Sequence, residues 1–208
     1  MKRIAIFASG AGSNAEKIIE YLASPPSPQS GEELASPAAS LRRPQGVRLI
    51  VSNKPDAGVL KIAHSNDIPT LIIEKEKFYR GNAYVDELKN AGIDFIVLAG
   101  FLWKLPSLLI RAYPGKIINI HPALLPKYGG KGMYGHFVHE AVLAAKEKES
   151  GITIHYVDEH YDNGNIIFQA KCPVYETDSP ASLEQRIRKL EHEYYPRVVE
   201  EVVGKLTS

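Results

Sequence analysis

Three short segments of this sequence carry residue types that could do chemistry together. In Asn119-Ile120-His121-Pro122 an amide and an imidazole stand two residues apart. On a β-strand that spacing puts both side chains on one face, so Asn119 and His121 project together while Ile120 turns to the core. The pair suits acyl transfer: an amide N–H holds a developing oxyanion, and an imidazole moves protons near neutral pH. The same residues also fit a satisfied histidine at a strand end. In the second segment, residues 158–164, Asp162 sits in a tight loop. A carboxylate there can reach a histidine on a neighbouring strand, raise its pKa and fix its tautomer. Read alone, Asp162-Asn163-Gly164 is an ordinary turn signal.

The third segment, Ser9-Gly10-Ala11-Gly12-Ser13-Asn14, lies between an apolar run and a helical pattern. Glycines there let the backbone approach a ligand closely, and the amides opening the helix point at an anion. It is not a Walker loop, because no Gly-Lys-Ser/Thr follows. It lacks the third glycine of a dinucleotide fingerprint, and no acidic residue closes the next strand. Gly12, Ser13 and Asn14 are suited to one terminal phosphate; a tight structural turn is the other reading.

The elements that must position these residues follow from periodicity. Apolar runs at 3–8, 47–53, 69–74, 94–100 and 116–122 read as strands, nearly continuous as in a parallel sheet covered on both faces. Helical patterns separate them at 15–22 (Ala15, Ile18, Ile19 and Leu22 on one face), 56–66, 82–90 and 107–113. A helix over 136–147, a strand pair at 151–157 and 165–175 and a long final helix follow. Ser182 with Gln185 reads as that helix's capping box. Residues 24–45, rich in Ser, Pro and Ala, read as an inserted, exposed loop. The fold class is α/β: one domain over 1–208, a doubly wound, mostly parallel sheet with helices on both faces.

Composition narrows the partners. With 25 basic and 24 acidic residues the formal net charge is +1, which provides no general field for nucleic acid or an anionic membrane. Cys172 is the single cysteine, so neither an intrachain disulfide nor a cysteine metal cage can form, and its strand setting predicts a buried, inert thiol. The histidines match no zinc-helix motif; His155 and Asp158 fit only a loose site, and no metal is expected. No apolar stretch approaches the roughly 20 residues that span a bilayer, and the expectation is a soluble, cytoplasmic protein.

In their order along the chain these segments resemble the phosphoribosylglycinamide formyltransferase family of folate-dependent enzymes. The likeness runs through SGAGSN, VSNKPDAGVLKIA, IVLAGFLWKLP, KIINIHPALLPKYGGKGMYG, GITIHYVDEHYDNGNIIFQ and LEHEYYPRVV, over nearly the whole chain outside 24–45. The resemblance implies a formyltransferase fold with a Rossmann-like N-terminal half. Residues 1–100 would bind the nucleotide's phosphate, and 101–208 would bind folate and carry the catalytic groups. It places the catalytic asparagine, histidine and aspartate on Asn119, His121 and Asp162. The phosphate turn falls on Gly12, Ser13 and Asn14, and the contact to the acceptor's sugar or glycinamide end on Glu191. Arg188, one helical turn earlier, shares Glu191's face and supplements the phosphate site. The folate cleft would use Phe101, Leu102, Trp103, Leu105, Val157 and Asp158. Trp103 stands where the family commonly has arginine, and Lys104 where it has an apolar residue.

The implied reaction moves a formyl group from 10-formyltetrahydrofolate to the amine of 5'-phosphoribosylglycinamide, a step of purine synthesis, with no metal. The expectation is that Asn119 and a protonated His121 hold the oxyanion while Asp162 keeps that imidazole charged. The implied partners are small molecules, and the implied assembly is a monomer or weak homodimer. Other folate-dependent formyltransferases, formyltetrahydrofolate hydrolase and a non-catalytic folate- or nucleotide-binding protein are the alternatives. The last would lack one of the three catalytic groups, all of which are present.

Overall fold

The apolar runs and helical periods assemble into one seven-stranded sheet. A computed structural model describes residues 2–23, 46–80, 82 and 84–205; the insertion at 24–45 lies outside the described residues. The first half runs β1 (Ile4–Phe7), α1 (Ser13–Ala23), β2 (Val47–Ser52), α2 (Gly58–Ser65), β3 (Thr70–Ile72), α3 (Lys75–Tyr79), α4 (Val85–Asn90) and β4 (Phe95–Leu98). The second runs α5 (Ser107–Ala112), β5 (Ile117–His121), α6 (His136–Ala144), β6 (Glu149–Tyr156), β7 (Ile166–Pro173) and α7 (Pro180–Lys205). The strand order is β3-β2-β1-β4-β5-β6-β7. The first five strands pair in parallel, and β5–β6 and β6–β7 are antiparallel.

Alternation along the strands feeds two cores. In β1, Ile4 and Ile6 join α1, α2 and α7 on one side, while Ala5 and Phe7 join Phe78, Leu88 and Leu109 of α3, α4 and α5 on the other. The four residues expected on one face of the first helix, Ala15, Ile18, Ile19 and Leu22, are its buried residues. The chain runs outward from β1 through β2 to β3, then returns to β4 on β1's other side. A crevice therefore opens beyond the carboxyl ends of β1 and β4, where α/β sheets bind ligands. Tyr195 of α7 is fully buried, and its phenol donates to the Leu98 carbonyl at 2.9 Å, pinning the last helix to that end of the sheet.

The structure corrects several element readings. Residues 75–79 form α3, too short for a period to reveal. The helix read over 82–90 begins only at Val85, because Tyr84 at its cap adopts a left-handed φ of 63°. β3 is an edge strand, not a strand covered on both faces: Thr70 and Ile72 are exposed. The final helix is capped by Ser179, with Pro180 as its first residue. Ser179 Oγ accepts from the Ser182 amide (3.2 Å) and Ser182 Oγ accepts from the Ser179 amide (3.0 Å), so Ser182 closes the box from inside the helix.

Gly12 shows what the first turn demands. Its φ is 85°, and a Cβ there would lie 2.7 Å from Val59 Cβ of α2. Gly12→Ala combines left-handed strain with overlap against a packed helix and is expected to cost about 2–3 kcal/mol of stability. Urea denaturation measures this, and an unchanged midpoint would contradict the packing account.

Candidate active site

The antiparallel pairing of β5 with β6 builds the centre of the site, setting Asn119 opposite His155 and His121 opposite Thr153. His155 Nδ1 lies 2.8 Å from the Tyr156 carbonyl, which can only accept, so Nδ1 carries the proton and Nε2 offers its lone pair. Asn119 Nδ2 donates to that lone pair at 3.2 Å. One amide hydrogen is thereby used to orient Asn119 and the other is free. His121 Nε2 donates to the Tyr128 carbonyl at 2.7 Å, leaving Nδ1 facing Asp162 Oδ2 at 3.7 Å. Asp162 adopts φ 50° in the loop after β6. Its Oδ1 lies 3.6 Å from His155 Nε2, and its Oδ2 accepts the Gly130 amide at 2.9 Å. The three expected catalytic residues thus converge.

Burial sets the electrostatics. It pushes the His121 imidazole below its ordinary value; Asp162 and the Tyr128 carbonyl oppose that shift, and His155 reinforces it. Asp162 is held below the usual carboxylate range: burial works the other way, but His155, His121 and the Gly130 amide together outweigh it. The resting imidazole is therefore less readily charged than the sequence reading expected, because desolvation exceeds the pull of a carboxylate 3.7 Å away.

These groups open on a cavity of about 600 Å³ beyond the sheet's carboxyl end. At one side Ser13 and Asn14 open α1 toward it, and Asn14 Nδ2 donates to Glu191 Oε2 of α7 at 2.9 Å. Burial raises the Glu191 carboxyl above its usual range, against the opposing influence of Asn14 and Arg188. Arg188 lines the same wall and is hydrogen-bonded to Glu184. Gly12 does not line the cavity; its place is the turn against α2, because only a residue without Cβ fits there.

At the other side Phe101, Leu102, Trp103, Leu105, Val157 and Asp158 all line the cavity. Trp103 packs on Phe78 at 5.8 Å and Phe101 edge-on to Phe7 at 5.3 Å, so this wall is rooted in the second core. The Ser9 hydroxyl accepts the Leu102 amide at 2.9 Å and ties the wall to the first turn. Lys104 stands 5.0 Å from the Tyr161 ring across the mouth. Among the described residues no group of three or more His, Cys, Asp or Glu could hold a metal ion, and no helix is long and apolar enough to cross a membrane.

Comparison with known proteins adds ancestry to this geometry. The family described as formyl transferase matches residues 2–199. The chain belongs to the formyl transferase family. It is 41% identical over 203 residues to a chloroplastic phosphoribosylglycinamide formyltransferase of Arabidopsis thaliana, covering 95% of this chain and 64% of that one. The chain thus spans less than two thirds of that plant relative's length. It is 37% identical over 208 residues to the phosphoribosylglycinamide formyltransferase of Bacillus subtilis, covering 98% of this chain and 96% of that one. The crystal structure of phosphoribosylglycinamide formyltransferase from Bacillus halodurans superposes with a TM-score of 0.80 at 34% identity, covering 99% and 97% of the two chains.

The site also holds groups that the sequence alone did not place in it. His155, considered there only as a metal ligand, orients Asn119. Thr153 Oγ1 donates to the Ala123 carbonyl (2.6 Å) and accepts from the Leu125 amide (3.0 Å) and Gln169 Nε2 (2.8 Å), fastening the loop that follows His121. The signal was available: Thr153 and His155 alternate on β6 as Asn119 and His121 do on β5. Using it required knowing that the two strands pair. His139 of α6 reaches the cavity from an element that carried no motif.

The shifted groups predict how stability depends on pH. Folded His121 binds a proton less readily than an unfolded histidine, so its contribution is intact above about pH 6.5 and is lost as pH falls toward the lowered folded value. Asp162 adds stability that is present above the ordinary carboxylate value and lost as pH falls through its own lowered value. Urea midpoints should therefore fall from pH 7.5 to 5.5, with a shallower fall in His121→Gln. An identical slope in the variant would contradict the burial argument.

Proposed function

We propose that this chain transfers the formyl group of 10-formyltetrahydrofolate to the amine of 5'-phosphoribosylglycinamide, yielding formylglycinamide ribonucleotide and tetrahydrofolate. The observation that carries the reading is the convergence of Asn119, His121 and Asp162 in one cavity with an anion-suited helix start and an aromatic wall. The names of the relatives point the same way. The acceptor's phosphate meets the first amides of α1 at Ser13 and Asn14, with Arg188 supplementing the charge and Glu191 contacting the acceptor's sugar or glycinamide end. The donor's ring system lies along Phe101, Leu102, Trp103 and Leu105, with Val157 and Asp158 on its far side. This assigns phosphate binding to the N-terminal half, and folate and the catalytic groups to the C-terminal half. The acting partners are small molecules.

The amine nitrogen attacks the formyl carbon, a C–N bond forms, and the carbonyl oxygen becomes an oxyanion. The free Asn119 amide hydrogen donates to it, and His121 adds positive charge beside it once Nδ1 takes up a proton. The attacking nitrogen's proton passes to the Asp162–His121 pair. On Nδ1 of His121 it turns a lone-pair-to-carboxylate contact into a charge-assisted hydrogen bond with Asp162. Collapse of the intermediate re-forms the carbonyl and breaks the bond to the folate nitrogen, which takes the proton. No covalent enzyme intermediate is needed.

Mixing the protein with glycinamide ribonucleotide and 10-formyl-5,8-dideazafolate and following absorbance tests the assignment. Turnover is expected only with nucleotide present and should collapse in His121→Ala. Turnover without nucleotide identifies a hydrolase; none with this analogue or the natural folate removes the transferase reading. Asn119→Ala should lower kcat by about 10²–10³-fold with a far smaller change in KM, as expected for a group that acts on the oxyanion. A pure KM effect would make Asn119 a binding residue.

A further inference from the structure

Among the described residues, His139 is the one strongly buried polar side chain on the cavity wall that the mechanism above leaves without work. It is 2% exposed, it lines the cavity, and its Nδ1 has no hydrogen-bond partner. A buried polar atom with no partner carries a desolvation cost that a bound ligand can relieve. We propose that His139 is a specificity-determining residue of the acceptor site, where its imidazole hydrogen-bonds a hydroxyl of the acceptor's pentose. The inference deepens the transferase reading and rests on its acceptor being a pentose phosphate.

Its place on the wall supports this. Glu184, Arg188 and Glu191 recur at helical spacing and form one stripe of α7 along the cavity. The stripe starts beside α1, where Asn14 holds Glu191. From Glu191 to Glu184 it runs about 10 Å along the helix axis, room for a sugar extending from a phosphate anchored at the helix start. The charged groups that act on His139 are Glu184, His121, Arg188 and His136. It shares the cavity wall with the catalytic imidazole and with Glu184 and Arg188 of the stripe.

The kind of ligand group follows from charge. Burial, joined by His121, Arg188 and His136, keeps the imidazole from charging, with only Glu184 opposing. A neutral imidazole has one donor and one acceptor nitrogen, and a hydroxyl satisfies either. A phosphate dianion would instead call for a charged partner, which α1's amides and Arg188 already supply.

Calorimetric binding of ribose 5-phosphate, 2-deoxyribose 5-phosphate and 3-deoxyribose 5-phosphate to the full chain tests this without turnover. The wild type is expected to prefer ribose 5-phosphate over one deoxy sugar by roughly tenfold, the worth of one hydrogen bond. His139→Phe should erase that preference while binding the deoxy sugar as the wild type does, and His139→Gln should keep part of it. If the phenylalanine variant does not fold, narrowing of the preference in the glutamine variant reads the same contact. Equal weakening of all three sugars, a wild type that does not distinguish them, or one that binds none overturns the inference. The formyl-transfer assay stands apart: turnover together with indifference to the sugar leaves the transferase intact and removes only His139's role.

Discussion

The pairing register of β5 with β6 is the constraint on which the rest of the site depends. Asn119 faces His155 and His121 faces Thr153 across two antiparallel strands, so one register orients the amide, places the imidazole and fastens the loop behind it. A slip of one residue in either strand would turn that strand's two side chains to the opposite face of the sheet. The loop leaving β6 then delivers Asp162 between the two histidines, one carboxylate oxygen toward each. The Gly130 amide fixes the carboxylate from the opposite loop, so two loops that are far apart in sequence meet at one side chain.

This arrangement stores no ready-made imidazolium. His121 gives its Nε2 proton to a backbone carbonyl and presents a lone pair to a carboxylate at 3.7 Å, an uncomfortable contact that only a proton on Nδ1 improves. Burial disfavours that proton in the resting protein; in the proposed transfer the attacking amine supplies it as it becomes acidic. The geometry is thus matched to charge that appears during the reaction rather than before it, which is how a preformed polar site lowers a barrier.

Different forces shape the two sides of the cavity. The side at the first turn depends on the backbone: a left-handed glycine, a helix start and an asparagine locked to a half-buried glutamate. The opposite wall is aromatic packing that continues into the core through Trp103, Phe101 and Phe78. Identity of 34–41% with the relatives compared coexists with near-complete superposition on a solved homologue, as expected when the backbone features and the sheet order are retained.

Local patterns in the sequence determined the order and type of most elements. Near-continuous apolar runs marked β1, β2, β4 and β5, a period-3.6 run marked α1, and start signals marked α7, because in each the signal is written in residues close together in the chain. The residues Asn119, His121 and Asp162 could be singled out because their types match a chemistry at a spacing that a strand and a turn impose. The tertiary structure alone decided that β3 lies at an edge and that five residues after it form a helix. It alone decided that Ser179, not Ser182, caps the last helix. It also decided that His155 holds Asn119, that His139 faces the cavity unpartnered, and that His121 resists protonation. Each of these depends on what lies across a strand pair or beneath a helix, and on how much water that neighbour excludes. Contacts between residues far apart in the chain set both, and no local pattern records them.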